Sequence, residues 1–299
     1  MGGEDLRIAV FTKNRTNPAY GAARLGADRV AQRLGAQTLH FVPEKGDDPD
    51  EQSALVDRAL AMRPDAIVLA PVHATRVNAA IGRIQASGIP LFGFVNPIPV
   101  GRCMTYVGSD DSQLGHAIAR HLFAHLHDRG RMLVISGPVA SVTSIARVRA
   151  FEDAAAKHPE IAIVGTCVGD YDREVARDAV ARWLAANEKP DACLAANDVM
   201  ALGALDALRA ARRKAVVVGV NAIPEAIAAI KSGEMLATAD FNAMRMAALA
   251  TECAVRHLRG EAVPSKIELP VEIVDRRNCH LWDLPFEQRP LLTLEETLA

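Results

Sequence analysis

The 299-residue sequence carries no excess of either charge: 34 Lys and Arg stand against 36 Asp and Glu, a formal net charge of -2. The charges are interspersed, with no basic stripe to hold a phosphate backbone, so nucleic acid gains no electrostatic support as a partner. No apolar run approaches the roughly 20 residues a membrane helix needs. The five cysteines (Cys103, Cys167, Cys193, Cys253 and Cys279) are odd in number and scattered, and none forms a Cys-x-x-Cys pair. Zinc, redox and disulfide-framework readings therefore have little to rest on. No Gly-x-Gly-x-x-Gly follows a strand and no Walker motif occurs, so no nucleotide cofactor is expected. No Ser/His/Asp or Cys/His set can be placed where a ligand would sit, and the chain does not read as an enzyme. Met1-Gly-Gly-Glu-Asp runs straight into a strand without the charged, apolar and small-residue order of an export signal. That leaves open a cytosolic protein and an exported one whose signal lies outside this chain.

What is present is a regular alternation. Ile8–Phe11, Thr38–Val42, Ala66–Leu69 and Pro90–Val95 read as strands. Between them 19–34, 50–62 and 74–87 have apolar residues at helical spacing. Asn17-Pro18 and Asp48-Pro49 pair a capping side chain with a proline suited to the first helical turn. The order then repeats at an offset of about 125 residues, the signature of an internal repeat. Met132–Ile135, Ile161–Val164, Ala192–Ala195 and Ala215–Gly219 are strands; 144–157, 172–186, 198–212 and 224–232 are helices. Helices are also expected at 112–127 and 242–259, with a strand-like run at 236–239 and a late strand at 266–274.

Continuous apolar strands alternating with helices imply an α/β protein with parallel sheets covered on both faces. The duplication implies two doubly wound lobes joined by a multi-strand hinge. The expected division is 1–109 with 242–270 in the N-terminal lobe, and 110–241 with 271–299 in the C-terminal lobe. The length suits two domains of ordinary size.

Ligands of open parallel sheets sit outside the carboxyl ends of the strands. In the first repeat those positions hold Lys13, Asn14, Asn17, Tyr20 and Asn96. In the second they hold Asp170, Tyr171, Asn197, Asp198 and Asn221, with Arg147 early in the first helix and Asp240 and Phe241 after the last strand. Asn both donates and accepts, Arg offers a fork of donors and Tyr a flat face, a set suited to a hydroxylated ligand. Each residue also has a purely structural reading. Asn17 and Asn197 serve as helix caps with or without ligand contact, Tyr20 and Tyr171 as packing residues, and Arg147 as a partner of Asp170 or Asp172. His116, His121, His125 and His127 share one helix. His121 and His125 lie four residues apart but lack a companion acid or Cys, so no metal site is expected. Arg209, Arg212, Arg213 and Lys214 suit the negative end of a helix.

These residues also carry a family likeness. Thr16-Asn-Pro-Ala-Tyr20, Gly108-Ser-Asp-Asp111, Arg147-x-x-x-Phe151, Gly169-Asp-Tyr-Asp172, Ala196-Asn-Asp-Val-Met-Ala-Leu-Gly-Ala204 and Val217-Val-Gly-Val-Asn221 occur in order. On them the chain resembles, over nearly its whole length, the periplasmic sugar-binding proteins of ABC transporters, of the ribose-binding type. The resemblance implies a type I periplasmic binding protein fold, a monomer that captures a small carbohydrate by hinge closure, a permease partner and a periplasmic location. It puts Asn17, Tyr20, Asn96, Arg147, Tyr171, Asn197, Asn221 and Phe241 in the cleft. Val95 and Asn221 stand where ribose-type proteins place aspartates, and Ala19 where they place an aromatic. With these acidic grips thinned and Arg147 and Lys13 kept, the ligand is expected to be a polyol, a less common sugar or an acidic sugar derivative. The alternative is a ligand-sensing module of a signalling or transcription system.

Overall fold

The computed structural model describes residues 6–299. The chain begins β1 (Leu6–Phe11), α1 (Pro18–Arg33), β2 (Ala36–Phe41), α2 (Pro49–Ala61), β3 (Ala66–Leu69), α3 (Asn78–Ser87), β4 (Leu91–Phe94) and β5 (Tyr106–Gly108). It continues α4 (Asp111–His125), β6 (Arg129–Ser136), α5 (Val142–Ala155), β7 (Glu160–Val168), α6 (Arg173–Ala186), β8 (Ala192–Ala195), α7 (Asp198–Ala210), β9 (Val216–Val220) and α8 (Pro224–Ser232). It ends β10 (Ala237–Asp240), α9 (Ala243–Leu258), β11 (Lys266–Glu268), β12 (Glu272–Asp275) and α10 (Leu294–Leu298).

Two compact units result. Among the described residues one comprises 6–109, 242–269 and 286–299; the other comprises 110–241 and 270–285. The first contains a six-stranded sheet ordered β11-β5-β4-β3-β1-β2, every neighbouring pair parallel. The second contains a six-stranded sheet ordered β12-β10-β9-β8-β6-β7, in which only β12 runs antiparallel. β3, β4 and β8 are buried along their whole length, the pattern of strands covered on both faces. In the first unit Phe11 stacks on Phe41 with centroids 4.9 Å apart, and Ile67, Leu69, Ile81, Ile84 and Leu91 fill the core around them.

Helix starts follow the expected chemistry. Asn17 Oδ1 accepts from Ala19 N and Asp48 Oδ1 from Asp50 N and Glu51 N, each at 3.0 Å, with a proline at the first helical position in both. Three expectations need revision. The helix expected over 74–87 begins at Asn78, because the His73 ring takes the Thr75 and Arg76 amides at 3.1 and 3.2 Å and holds the preceding turn. The late strand expected over 266–274 is two strands, split around Pro270, which has no N–H for a ladder. β11 joins the first unit's sheet and β12 the second's. The chain end expected in the C-terminal lobe also divides: residues 286–299 pack in the first unit. There Arg29 donates to the Phe286 and Arg289 carbonyls at 3.3 and 2.8 Å, Arg256 pairs with Glu295 at 2.5 Å, and Leu294 is buried.

In the first unit α9 packs along α1 and against β3 and β4. The approach is close at Gly26, where a methyl group would overlap the Met244 carbonyl oxygen, so only glycine fits.

Candidate functional site

The polar residues singled out in the sequence lie at the carboxyl ends of strands in both units. In the first unit the loop after β1 is held by its own side chains. Asn17 N donates to Asn14 Oδ1 at 3.0 Å, and Arg24 donates to Thr12 Oγ1 at 2.7 Å. Lys13 is only 1% exposed, and its ammonium pairs with Asp47 at 2.8 Å; Asn14 Nδ2 donates to the same carboxylate at 3.1 Å. Tyr20 is buried in the first turn of α1. After β4, Asn96 Nδ2 donates to the Pro71 carbonyl at 2.7 Å, while its buried Oδ1 has no hydrogen-bond partner. Val95 just before it has φ +66°, a left-handed conformation that a β-branched side chain seldom adopts. Tyr106 Oη donates to the Val95 carbonyl at 2.8 Å.

In the second unit Arg147 organises the strand ends. Its guanidinium is buried, donates from Nε to Asp111 Oδ1 and from Nη1 to the Ala196 carbonyl, each at 2.7 Å, and lies 4.8 Å from the Phe241 ring centroid. The acidic partner is Asp111, not the Asp170 or Asp172 considered above; Asp172 instead caps α6. Asn197 Oδ1 caps α7 by accepting from Met200 N at 2.9 Å, whereas its buried Nδ2 has no hydrogen-bond partner. Asn221 has φ 128° after β9, and its buried Oδ1 is likewise without one. Asp240 accepts from Trp282 Nε1 at 2.9 Å. Asp170 and Tyr171 both have positive φ, and Tyr171 Oη exchanges a hydrogen bond with Thr143 Oγ1 at 2.8 Å. The Tyr171 ring lies over Gly137, where a Cβ would collide with it. Backbone strain thus gathers at Val95, Asp170, Tyr171, Asn221 and Ala222, each just after a strand.

Several residues that shape these strand ends escaped the sequence reading, notably Asp111, Asp47, Tyr106 and Trp282. Asp111 carries a signal in hindsight, as the second acid of Gly108-Ser-Asp-Asp111. Asp198 was visible in its motif but without its role. It is fully buried, accepts from Thr238 Oγ1 at 2.6 Å and Ile223 N at 3.1 Å, and so ties the start of α7 to β10 and to the start of α8. Burial pushes its carboxyl up to about 7 despite those donors. His121 lies 3.7 Å from Asp275, and burial lowers its pKa. Among the described residues no group of three or more metal-binding side chains occurs. The described helices include none long and apolar enough to cross a membrane.

The strand ends hold acceptors, a donor, an aromatic face and paired charges, the chemistry of a binding site for a polar solute. Comparison with known proteins bears on what that solute is. The family described as periplasmic binding protein domain matches residues 8–262. A putative rhizopine-binding protein of Rhizobium meliloti is 29% identical over 266 residues, 85% of each chain. A xylitol-binding protein of Mycolicibacterium smegmatis is 28% identical over 193 residues, 64% of this chain and 55% of that one. An ABC transporter periplasmic solute binding protein of Actinobacillus succinogenes with bound D-allose superposes with a TM-score of 0.86 at 26% identity, covering 92% of this chain and 99% of that one. The chain belongs to the periplasmic binding protein domain family, whose members hold a solute without transforming it.

Proposed function

We propose that this chain is the solute-binding protein of an ABC transporter and that its ligand is a small neutral sugar or polyol. The observation that carries this reading is the trio Asn96, Asn197 and Asn221. Each sits at a strand end with one buried amide atom lacking a partner: an acceptor on Asn96, a donor on Asn197 and an acceptor on Asn221. A buried, unpaired polar atom costs about 1–3 kcal/mol. A hydroxyl group, donor and acceptor at once, can relieve either kind. Charged ligands fit less well, because the Arg147 guanidinium already faces Asp111 and the Lys13 ammonium faces Asp47. This favours the neutral option over the acidic sugar derivative. The names of the relatives, D-allose and xylitol among them, point the same way.

On this reading the candidate ligand contacts of the first unit are Asn17, Tyr20, Asn96 and Lys13, and those of the second unit are Arg147, Tyr171, Asn197, Asn221, Asp240 and Phe241. A permease would receive it, and the protein would work in the periplasm. Isothermal titration against D-allose, D-ribose, xylitol and an aldonate tests the assignment. At least one neutral member should bind, and Asn221→Ala should weaken that binding about tenfold, the size of one lost hydrogen bond at a buried site. Binding of the aldonate alone, or of no panel member, would overturn the reading.

A further inference from the structure

We infer that Trp282 is a positioning residue for the Asp240 carboxylate and thereby sets which hydroxyl arrangement the second unit accepts; this rests on Asp240 belonging to the ligand site. Asp240 is the last residue of β10, 8% exposed, and is followed directly by Phe241, the ring beneath Arg147. A carboxylate at the end of a strand can swing about its side-chain torsions. Here one oxygen is held, since the Trp282 indole N–H donates to Oδ2 at 2.9 Å. An indole N–H is donor only, on a rigid ring with two side-chain torsions, so it fixes its partner at low entropic cost. A bond to an ionised carboxylate is also stronger than one between neutral groups.

The chain goes to some length to deliver this indole. β12 pairs antiparallel with β10, with Glu272 opposite Asp240, and so leads away from that strand end. Asn278 then reverses the path: its Oδ1 accepts from Asp275 N at 2.8 Å and its Nδ2 donates to the Ile273 carbonyl at 2.9 Å. A short helical turn over Cys279–Leu281 follows, with Cys279 buried. Trp282 N donates back to the Cys279 carbonyl at 3.0 Å, and Asp283 pairs with Lys231 at the end of α8. The segment is anchored on both sides of Trp282, and the indole is half-buried against the site's own carboxylate.

The test is a double-mutant cycle read by titration with whichever of D-allose, D-ribose and xylitol the wild type binds. Trp282→Phe keeps the ring and removes the donor. It should weaken binding about tenfold. In an Asp240→Ala background, which removes the acceptor, the same change should cost nothing further. Wild-type affinity in Trp282→Phe, or an equal loss in both backgrounds, would overturn the inference and leave the proposed function standing. If the wild type binds none of the three, the sugar and polyol reading falls, and this inference with it. Should Trp282→Phe fail to fold, the emission of Trp282 as the sole tryptophan in Trp183→Phe protein, excited at the red edge where tyrosine does not absorb, decides in its place. A shift on adding the sugar or polyol that binds supports the inference, and no shift overturns it.

Discussion

Arg147 holds the second unit's strand ends together through Asp111 and the Ala196 carbonyl, and both members of the charged pair are largely out of water. Removing one partner of such a pair leaves the other desolvated and alone, at about 3–5 kcal/mol. Arg147→Met should therefore lower the unfolding free energy by about that amount in urea denaturation, and Asp111→Asn added to it should restore a large part. Equal stability of the single and double variants would show that the pair does not act as one. A loss of ligand binding in Arg147→Met alone would accordingly mix two effects, which the double variant separates. Asp198 makes a second residue-scale prediction. Its ordinary value of 3.8 rises to about 7 in the fold, so the folded protein binds the proton more tightly than the unfolded chain does. The stability this contributes is complete below about pH 4 and is lost as pH rises through about 7, amounting to roughly 4 kcal/mol at most. Asp198→Asn mimics the protonated form and can keep both the Thr238 and Ile223 contacts. Wild type should lose stability relative to this variant between pH 4 and pH 8, and parallel stability curves would exclude the effect.

Helices and strands meet at points where one atom decides the fit. The α1–α9 contact closes over Gly26, so Gly26→Ala must push the Met244 backbone aside. Overpacking of this kind should cost about 1–3 kcal/mol, visible as a lower urea midpoint with an unchanged slope. An unchanged midpoint would mean the two helices can part at no cost. This scale also separates what the sequence made legible from what it did not. The strands and most helix starts were readable because their signals are local: buried apolar runs, Asn17-Pro18, Asp48-Pro49, and Asn197 before α7. Strand-end Asn, Tyr and Arg residues were readable because parallel topology assigns their side of the sheet. The partners of those residues were not. Arg147 finds Asp111 across 36 positions and Asp240 finds Trp282 across 42, distances at which only tertiary packing fixes a pair. The three-residue β5 was likewise too short to show a period, and the split of 266–274 into two strands depends on which sheet each half joins.

For the molecule as a whole, the near balance of charge matters more than any one ion pair. With a formal net charge of -2, the chain projects little field to draw in a charged solute from a distance. Its two buried cationic side chains at strand ends have their own acids. A neutral ligand held by amides and a hydroxyl-accepting carboxylate should then bind with the same affinity at low and high salt. A carboxylated ligand caught by an exposed charge would weaken as the screening length contracts from about 10 Å at 0.1 M to about 3 Å at 1 M. Ligand linkage gives the measurement. Saturation at about 100 times Kd adds about 2.7 kcal/mol to the unfolding free energy, and at about 2 °C per kcal/mol for a chain of this size that is a rise of about 5 °C. The neutral sugar or polyol that binds should give this rise undiminished between 0.1 and 1 M NaCl, once the ligand-free shift at each salt is subtracted. A rise that fades with salt would point to a charged ligand held by an exposed cation, and one produced only by aldonates would mean that buried Arg147 or Lys13 exchanges its acid for the ligand; either would return the acidic sugar derivative to first place.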